Sequence, residues 1–184
     1  MTATFDAEFI RDKSRALPTE RLPERVRSLR VWHCAYKTFQ PLERLCDLEV
    51  LVIASFPDHE LEVLSGLKTL RYLSIIHLPK VTDLQPLLPL SRLECLSLAT
   101  LPSWDSSGRV TEVASLEPLA ALPSLRNLEL FGVRPPDCSL ALLQLSPSLR
   151  SARFSRYPAT EMRRFHAATG LANSFNPEPP LGSA

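Results

Sequence analysis

Leucine and other apolar residues recur along this 184-residue chain at positions one, four, six and nine of a short template. Six copies begin at residues 26, 48, 70, 93, 125 and 149, with spacings of 22, 22, 23, 32 and 24 residues. Because side chains alternate across a strand, positions four and six predict the buried side of a strand. Positions three, five and seven predict its outer side, here named the strand face. One repeat cannot bury its own leucines, so the pattern predicts about six stacked rungs with one core.

The segments between the predicted strands have a different period. Their apolar residues step by three, as in the series Leu61, Leu64, Leu67 and Leu70. A period of three is that of a 3₁₀ turn, and prolines such as Pro86 and Pro118 disfavour long helices. We therefore expect an α/β repeat in which parallel strands are joined by 3₁₀ or short helical turns.

The template LxxLxLxx plus an apolar residue, together with the three-step return segments, resembles the leucine-rich repeats. The spacing matches their short 22-residue class, as in bacterial internalins and a regulatory subunit of protein phosphatase 1. The resemblance implies a short right-handed solenoid, capped at both ends, with its parallel strands on a concave face. It also implies that the strand face binds another protein, which the solenoid could regulate or inhibit.

The pattern divides the chain into an N-terminal cap, the repeats, a capping helix and a flexible tail, over residues 1–25, 26–157, 158–170 and 171–184. In the first segment, Asp6 is a candidate cap for a helix over residues 7–16. In the third segment, Thr160 is a candidate cap for a short helix that runs through Ala168 and ends at Gly170. The tail contains three prolines and few apolar residues, so we expect it to be mobile.

Charge and cysteine content indicate a soluble cytoplasmic protein. The formal net charge is +1, from 21 basic and 20 acidic residues, so no long-range field favours nucleic acid or a membrane. The chain begins without a signal-peptide pattern, and no apolar run is long enough to span a bilayer. Its four cysteines lack the CxxC spacing of a metal or redox motif.

Enzyme signatures are missing from the sequence. The five glycines form neither a GxGxxG motif nor a P-loop, and HExxH and GxSxG do not occur. His33 and His77 share a template position two rungs apart, about 10 Å, which is too far for a shared metal. We therefore expect a non-catalytic protein with no cofactor, no metal and no small-molecule substrate.

The strand face is unusually rich in apolar and aromatic residues for an exposed sheet, which is typical of an interface. The outward side chains of rung four, the copy that begins at residue 93, are small. They predict a trough between a Tyr72/Ile76 ridge and an Asn127/Phe131 ridge. A nine-residue insertion within residues 102–112 is predicted to flank this trough with Trp104 as an anchor, or alternatively to tuck Trp104 against the rung edge. The candidate partner-binding residues are Trp32, Val52, Tyr72, Ile76, Ser97, Trp104, Asn127, Glu129 and Phe131.

Three other functions stay open at this point. The chain could be a regulatory subunit of an enzyme complex with a cryptic site. Its strand face could mediate self-association. The last rung could bind nucleic acid weakly, since it is rich in arginine, at positions Arg150, Arg153, Arg156, Arg163 and Arg164. We expect those arginines to be a solvated capping surface, and position two of the rungs to form an ion-pair ladder of alternating charge.

Overall fold

The computed structural model describes residues 4–181, except the side chain of Asp105. This part of the chain contains nine strands: β1 (Ala7–Ile10), β2 (Ser28–Trp32), β3 (Val50–Ala54), β4 (Tyr72–Ile76), β5 (Cys95–Ala99), β6 (Thr111–Glu112), β7 (Asn127–Phe131), β8 (Val133–Arg134) and β9 (Ser151–Ser155). Seven of them form one parallel sheet in the order β1-β2-β3-β4-β5-β7-β9, while β6 pairs with β8 in a second, two-stranded sheet. Rungs that follow one another in the chain are therefore neighbours in space.

The strands pair in the register that the repeat template predicts. Residues at template position three lie side by side in one row: Ser28, Val50, Tyr72, Cys95, Asn127 and Ser151. Residues at positions four and six point into the core, where Leu51, Leu73 and Leu96 have no exposed surface. Each rung adds two inward side chains to one continuous hydrophobic cluster, and the predicted α/β repeat is confirmed.

Short turns return the chain from one strand to the next, as the three-step pattern predicts. The 3₁₀ helices are Thr19–Arg21, Gln40–Arg44, Glu62–Leu64, Gln85–Leu87 and Ala141–Leu145. The longest rung instead contains two short α-helices, α1 (Pro102–Ser106) and α2 (Glu117–Ala120). Pro118 lies in the first turn of α2, where its missing N–H removes no helical hydrogen bond.

The N-terminal segment is a strand, and the prediction of a helix over residues 7–16 is wrong. Asp6 does not cap a helix. Its carboxylate accepts hydrogen bonds from the N–H groups of Arg27 (2.7 Å) and Ser28 (3.0 Å), and its own N–H donates to the Ser28 hydroxyl (2.9 Å). These bonds hold β1 against β2, and Phe9 then points inward beside Val31. β1 is thus a further strand of the sheet, and it contains no leucine.

The last rung is covered by helix α3 (Ala159–Thr169), which ends where Gly170 adopts a left-handed φ of +67°. Pro158 holds the N-cap position, so the prediction that Thr160 caps the helix is wrong, and Thr160 lies inside the first turn. Its Phe165 ring is fully buried, with its centroid 5.1 Å from that of Phe154. This helix closes the C-terminal end of the core.

The described part of the tail, residues 171–181, packs against the sheet, and its mobility stays a prediction. The N–H of Ala152 donates to the carbonyl of Ala172 (3.1 Å), so the tail begins as a bridge beside β9. Leu181 is half-buried against the side chains of the strand face. The apolar residues of the tail find these partners because the strand face itself is apolar. Residues 182–184 lie outside the described part of the chain.

Gly132 connects β7 to β8 and cannot be replaced without strain. Its φ is +69°, a left-handed conformation that side chains disfavour. A Cβ atom at this position would lie 2.4 Å from the Oγ1 atom of Thr100. The glycine therefore allows β7 to continue into the small sheet that the insertion forms with β8.

Candidate protein-binding face

The strand face has two halves that differ in chemistry. We name the outward side chains of β2, β3 and β4 the apolar half, and those of β5, β7 and β9 the polar half. Because the register is continuous, both halves belong to one sheet and share the same rows of template positions.

Three side chains of the apolar half form a second hydrophobic cluster, separate from the core. Val50, Val52 and Tyr72 are only 1%, 8% and 7% exposed. Four half-buried side chains pack against this cluster, from both ends of the chain and from neighbouring strands: Phe5, Trp32, Cys95 and Leu181. The expectation that these outer residues are exposed is therefore wrong for Val52 and Tyr72.

The sequence of strand β3 indicates that its outer side is covered. Its sequence is a continuous apolar run, VLVIA, and all five of its residues are buried. An uninterrupted apolar run is typical of a strand that is buried on both faces, whereas a strand with one solvated face alternates. The template assigns Val50, Val52 and Ala54 to the outer face, but it does not predict which segment covers them.

A cation closes the N-terminal side of the apolar half. The guanidinium of Arg30 lies 5.5 Å from the ring centroid of Phe5 and 5.8 Å from that of Trp32. The same guanidinium forms an ion pair with Glu8 on β1. Arg30 thus attaches two aromatic rings to the edge of the sheet through cation–π contacts.

Two hydrogen-bonded rows link polar side chains of the polar half. In the first row, the amide nitrogen of Asn127 donates to the Cys95 sulfur (3.3 Å), and the Ser151 hydroxyl donates to the amide oxygen of Asn127 (2.8 Å). In the second row, the Ser97 hydroxyl donates to Glu129 (2.7 Å). The other oxygen of Glu129 pairs with Arg153 at 3.3 Å.

Phe131 belongs to this half but is covered by a charge. The guanidinium of Arg153 lies 5.5 Å from its ring centroid, and the ring is half-buried. Arg153 therefore links Glu129 and Phe131, two of the candidate binding residues, through an ion pair and a cation–π contact.

Burial sets the protonation of the groups at the boundary between the two halves. Burial raises the pKa of the Tyr72 phenol, and the nearby Cys95 and Glu129 add to this rise. Burial also raises the pKa of the Cys95 thiol, against a smaller opposing effect of its hydrogen bond from Asn127. Both groups are therefore neutral at pH 7, and Cys95 is not activated as a nucleophile.

Comparison with known proteins bears on the fold. No family model and no curated protein matches this chain. Among solved structures, internalin C2 from Listeria monocytogenes matches with a TM-score of 0.50 and 23% identity, over 75% of this chain and 65% of that one. Another internalin of the same organism matches with a TM-score of 0.42 and 19% identity, over 70% of this chain and 41% of that one. The fold is a leucine-rich-repeat solenoid. The chain spans less than two thirds of either internalin's length.

The insertion of the solenoid places Trp104 against the end of β4. Its ring lies in α1, edge-on to the ring of His77, with centroids 5.0 Å apart, and Arg109 lies 5.9 Å from its centroid. This is the placement in which Trp104 tucks against the rung edge. Burial lowers the pKa of His77, so its imidazole is neutral at pH 7.

The remaining candidate residues occupy the places that the template assigns to them. Ile76 lies beside Ala54 and Ala99, half-buried at the end of β4. Ser97 is only 4% exposed. Its hydroxyl therefore holds the Glu129 carboxylate by a hydrogen bond and is not itself available to a partner. The small residues of rung four thus lie between the two ridges, as the sequence predicts.

Several charged residues of the solenoid form ion pairs with residues of neighbouring rungs or of the same helix. The position-two ladder forms ion pairs between Arg27 and Glu49 (3.9 Å) and between Arg71 and Glu94 (2.9 Å). Of the C-terminal arginines, Arg153 pairs with Glu129, and Arg164 pairs with Glu161 (2.9 Å). Among residues 4–181, no helix is long and apolar enough to cross a membrane.

Proposed function

We propose that this solenoid is a non-catalytic module that binds a protein partner on its strand face and thereby regulates or inhibits it. The observation that carries the proposal is the apolar cluster of Val50, Val52 and Tyr72, which lies on the outer side of the sheet and apart from the core. These outward apolar side chains need a cover that the core does not provide, and a partner's segment can provide it as well as the chain's own; solenoids present extended surfaces for such binding.

Each candidate residue has a role in this proposal. Trp32, Ile76 and Phe131 are half-buried, so they are apolar anchors that a partner can still reach. The Asn127 and Glu129 rows provide a polar rim with fixed hydrogen-bonding directions. Trp104 stands at one end of the face beside His77. A reducing, cytoplasmic location is part of the proposal, because all four cysteines are free thiols.

Affinity capture followed by titration tests this function. The full chain is used to capture a partner from extracts of its source cells, and the purified pair is then titrated. We expect Trp32→Ala and Phe131→Ala to weaken binding about tenfold or more, as truncation of aromatic anchors does. Leu145→Ala is the matched control, because Leu145 is 75% exposed on a return turn.

Equal affinity of all three variants would contradict binding on the strand face. Size-exclusion chromatography with light scattering tests the self-association alternative, and we expect a monomer. A dimer that Trp32→Ala dissociates would instead make the strand face a contact between two copies of the chain.

A further inference from the structure

The tail crosses the strand face from one half to the other. It leaves β9 at Ala172, and nine residues later Leu181 contacts the cluster on β3 and β4. Ala172 lies one strand spacing beyond β9, so the distance to β4 and β3 is four to five strand spacings, about 19–24 Å. Nine residues of extended chain span about 28–30 Å, so the tail reaches the cluster without strain.

Half-buried and exposed residues alternate along residues 175–181 of the tail. Phe175, Pro177, Pro179 and Leu181 are half-buried, whereas the residues between them are exposed. A period of two indicates an extended segment that presents one side to the sheet. At its end, the N–H of Leu181 donates to the carbonyl of Pro179 (2.8 Å) in a tight turn.

The two covers of the apolar half are attached differently. Phe5 lies two residues before β1, and the Asp6 carboxylate and the β1 ladder fix it to the sheet through hydrogen bonds to β2. Leu181 is attached through half-buried contacts, and three of the six residues before it are prolines, which have no N–H to donate. The N-terminal cover is thus part of the fold, and the C-terminal cover is a docked segment.

We propose that the strand face is a receptor for an extended peptide segment with apolar residues and prolines at alternate positions, among them a leucine that contacts the apolar cluster. The tail, residues 173–181, is its tethered occupant, and the same kind of segment in a partner protein displaces it. This inference rests on the proposed function, since it specifies the chemistry of the partner. Proline restricts the free peptide to extended conformations, which lowers the entropy lost on binding.

Peptide binding in trans tests the inference. The probe is a fluorescently labelled peptide of residues 173–181 with a C-terminal amide, and its anisotropy is measured during titration with the full chain. In the variant Leu181→Asp, a carboxylate replaces the leucine in the apolar cluster and releases the tail. Asn176→Asp is the matched control, because it adds the same charge at an exposed position of the same segment.

We expect the peptide to bind Leu181→Asp at least about tenfold more tightly than the wild type, because a tethered tail competes at an effective concentration of about 1 mM. The control should bind the peptide as the wild type does. A peptide with aspartate in place of its leucine should not bind Leu181→Asp. Phe175→Asp provides a second released variant, whose folding is checked by circular dichroism alongside the first.

Failure of the peptide to bind both released variants, when both are folded, would overturn the inference. So would the finding that a released variant forms a dimer that excludes the peptide, because the occupant would then be a second copy. A protein partner that needs Trp32 but binds the wild type and Leu181→Asp equally would overturn this inference and leave the proposed function standing. If the peptide binds the released variants but no protein partner depends on the strand face, this inference stands and the proposed function is contradicted.

Discussion

The apolar half and the polar half of the strand face lie on the same sheet, in the same register, yet they are shielded from water in different ways. In the apolar half, Val50 and Tyr72 are covered by side chains from the two ends of the chain. In the polar half, Asn127 and Glu129 bind their neighbours in the same sheet. Strand geometry sets the direction in which a side chain points, while the segments packed above it decide whether it is exposed.

The two halves of the strand face differ in how far they depend on a covering segment. A polar row is complete within the sheet, so it persists whether or not another segment covers it. An apolar cluster outside the core is stable only while something covers it. The proposed exchange between a partner's segment and the protein's own therefore concerns the apolar half and not the polar half.

The strongest test of the contrast places the same charge in each half. We expect Tyr72→Asp to lower the free energy of unfolding by about 3–5 kcal/mol, because it removes a buried ring and buries a carboxylate near Glu129. Asn127→Asp should cost about 1 kcal/mol, because its oxygen still accepts from Ser151 and only the bond to Cys95 is lost. Urea unfolding measured by circular dichroism gives both values, and equal losses would refute the division into two halves.

A second test concerns the polar rows. Glu129→Ala leaves the buried hydroxyl of Ser97 without its acceptor and frees Arg153, so we expect a loss of about 1–3 kcal/mol. Glu129→Gln keeps an acceptor oxygen and should lose clearly less. Urea unfolding again provides the measurement. If the two variants lose the same stability, the charge of Glu129 matters and the hydrogen bond from Ser97 does not.

Phe5, the N-terminal cover of the apolar half, should contribute less to stability than Glu129 does, because its ring is only half-buried. Phe5→Ala is expected to cost about 1 kcal/mol through lost apolar contact and the lost cation–π contact with Arg30. Phe5→Leu retains the apolar cover and should recover roughly half of that loss. The shift of the thermal midpoint reports both effects, and an unchanged midpoint for Phe5→Ala would mean that the cluster needs no N-terminal cover.

The smallest expected effect is a pH dependence at the end of β4. Burial lowers the pKa of His77 in the folded state below its unfolded value of about 6.5. The unfolded chain therefore binds more protons between these two pKa values, and stability falls as the pH drops from about 6.5 towards the folded-state pKa. His77→Asn removes this titration, and asparagine tolerates the left-handed φ of +67° at this position.

Urea midpoints of the wild type and of His77→Asn at pH 7.5 and 5.5 measure this contribution. The difference between the two pH values should be smaller in the variant. A wild-type difference that the variant reproduces in full would assign the pH dependence to other groups.

The failures of sequence-based prediction follow from particular residues. β1 has no leucine at its inward positions, so a leucine template does not detect it, although Ala7 and Phe9 occupy those positions. Asp6 looks like a helix cap because the local pattern of cap and apolar residues does not show that its partners are Arg27 and Ser28. The VLVIA run of β3 is typical of a strand that is buried on both faces, but the pattern does not show which segments cover it.

By itself, the sequence determined the repeat, the strand register and the identity of the inward residues, because each depends on spacing within about 22 positions. Tertiary structure decided which outward residues stay accessible, that Trp104 packs on His77 and that the tail covers Tyr72. These outcomes depend on segments far apart in the chain, and a side chain's exposure is set by whatever lies above it. The solenoid could be predicted from local periodicity, and the exposure of the side chains on its strand face could not.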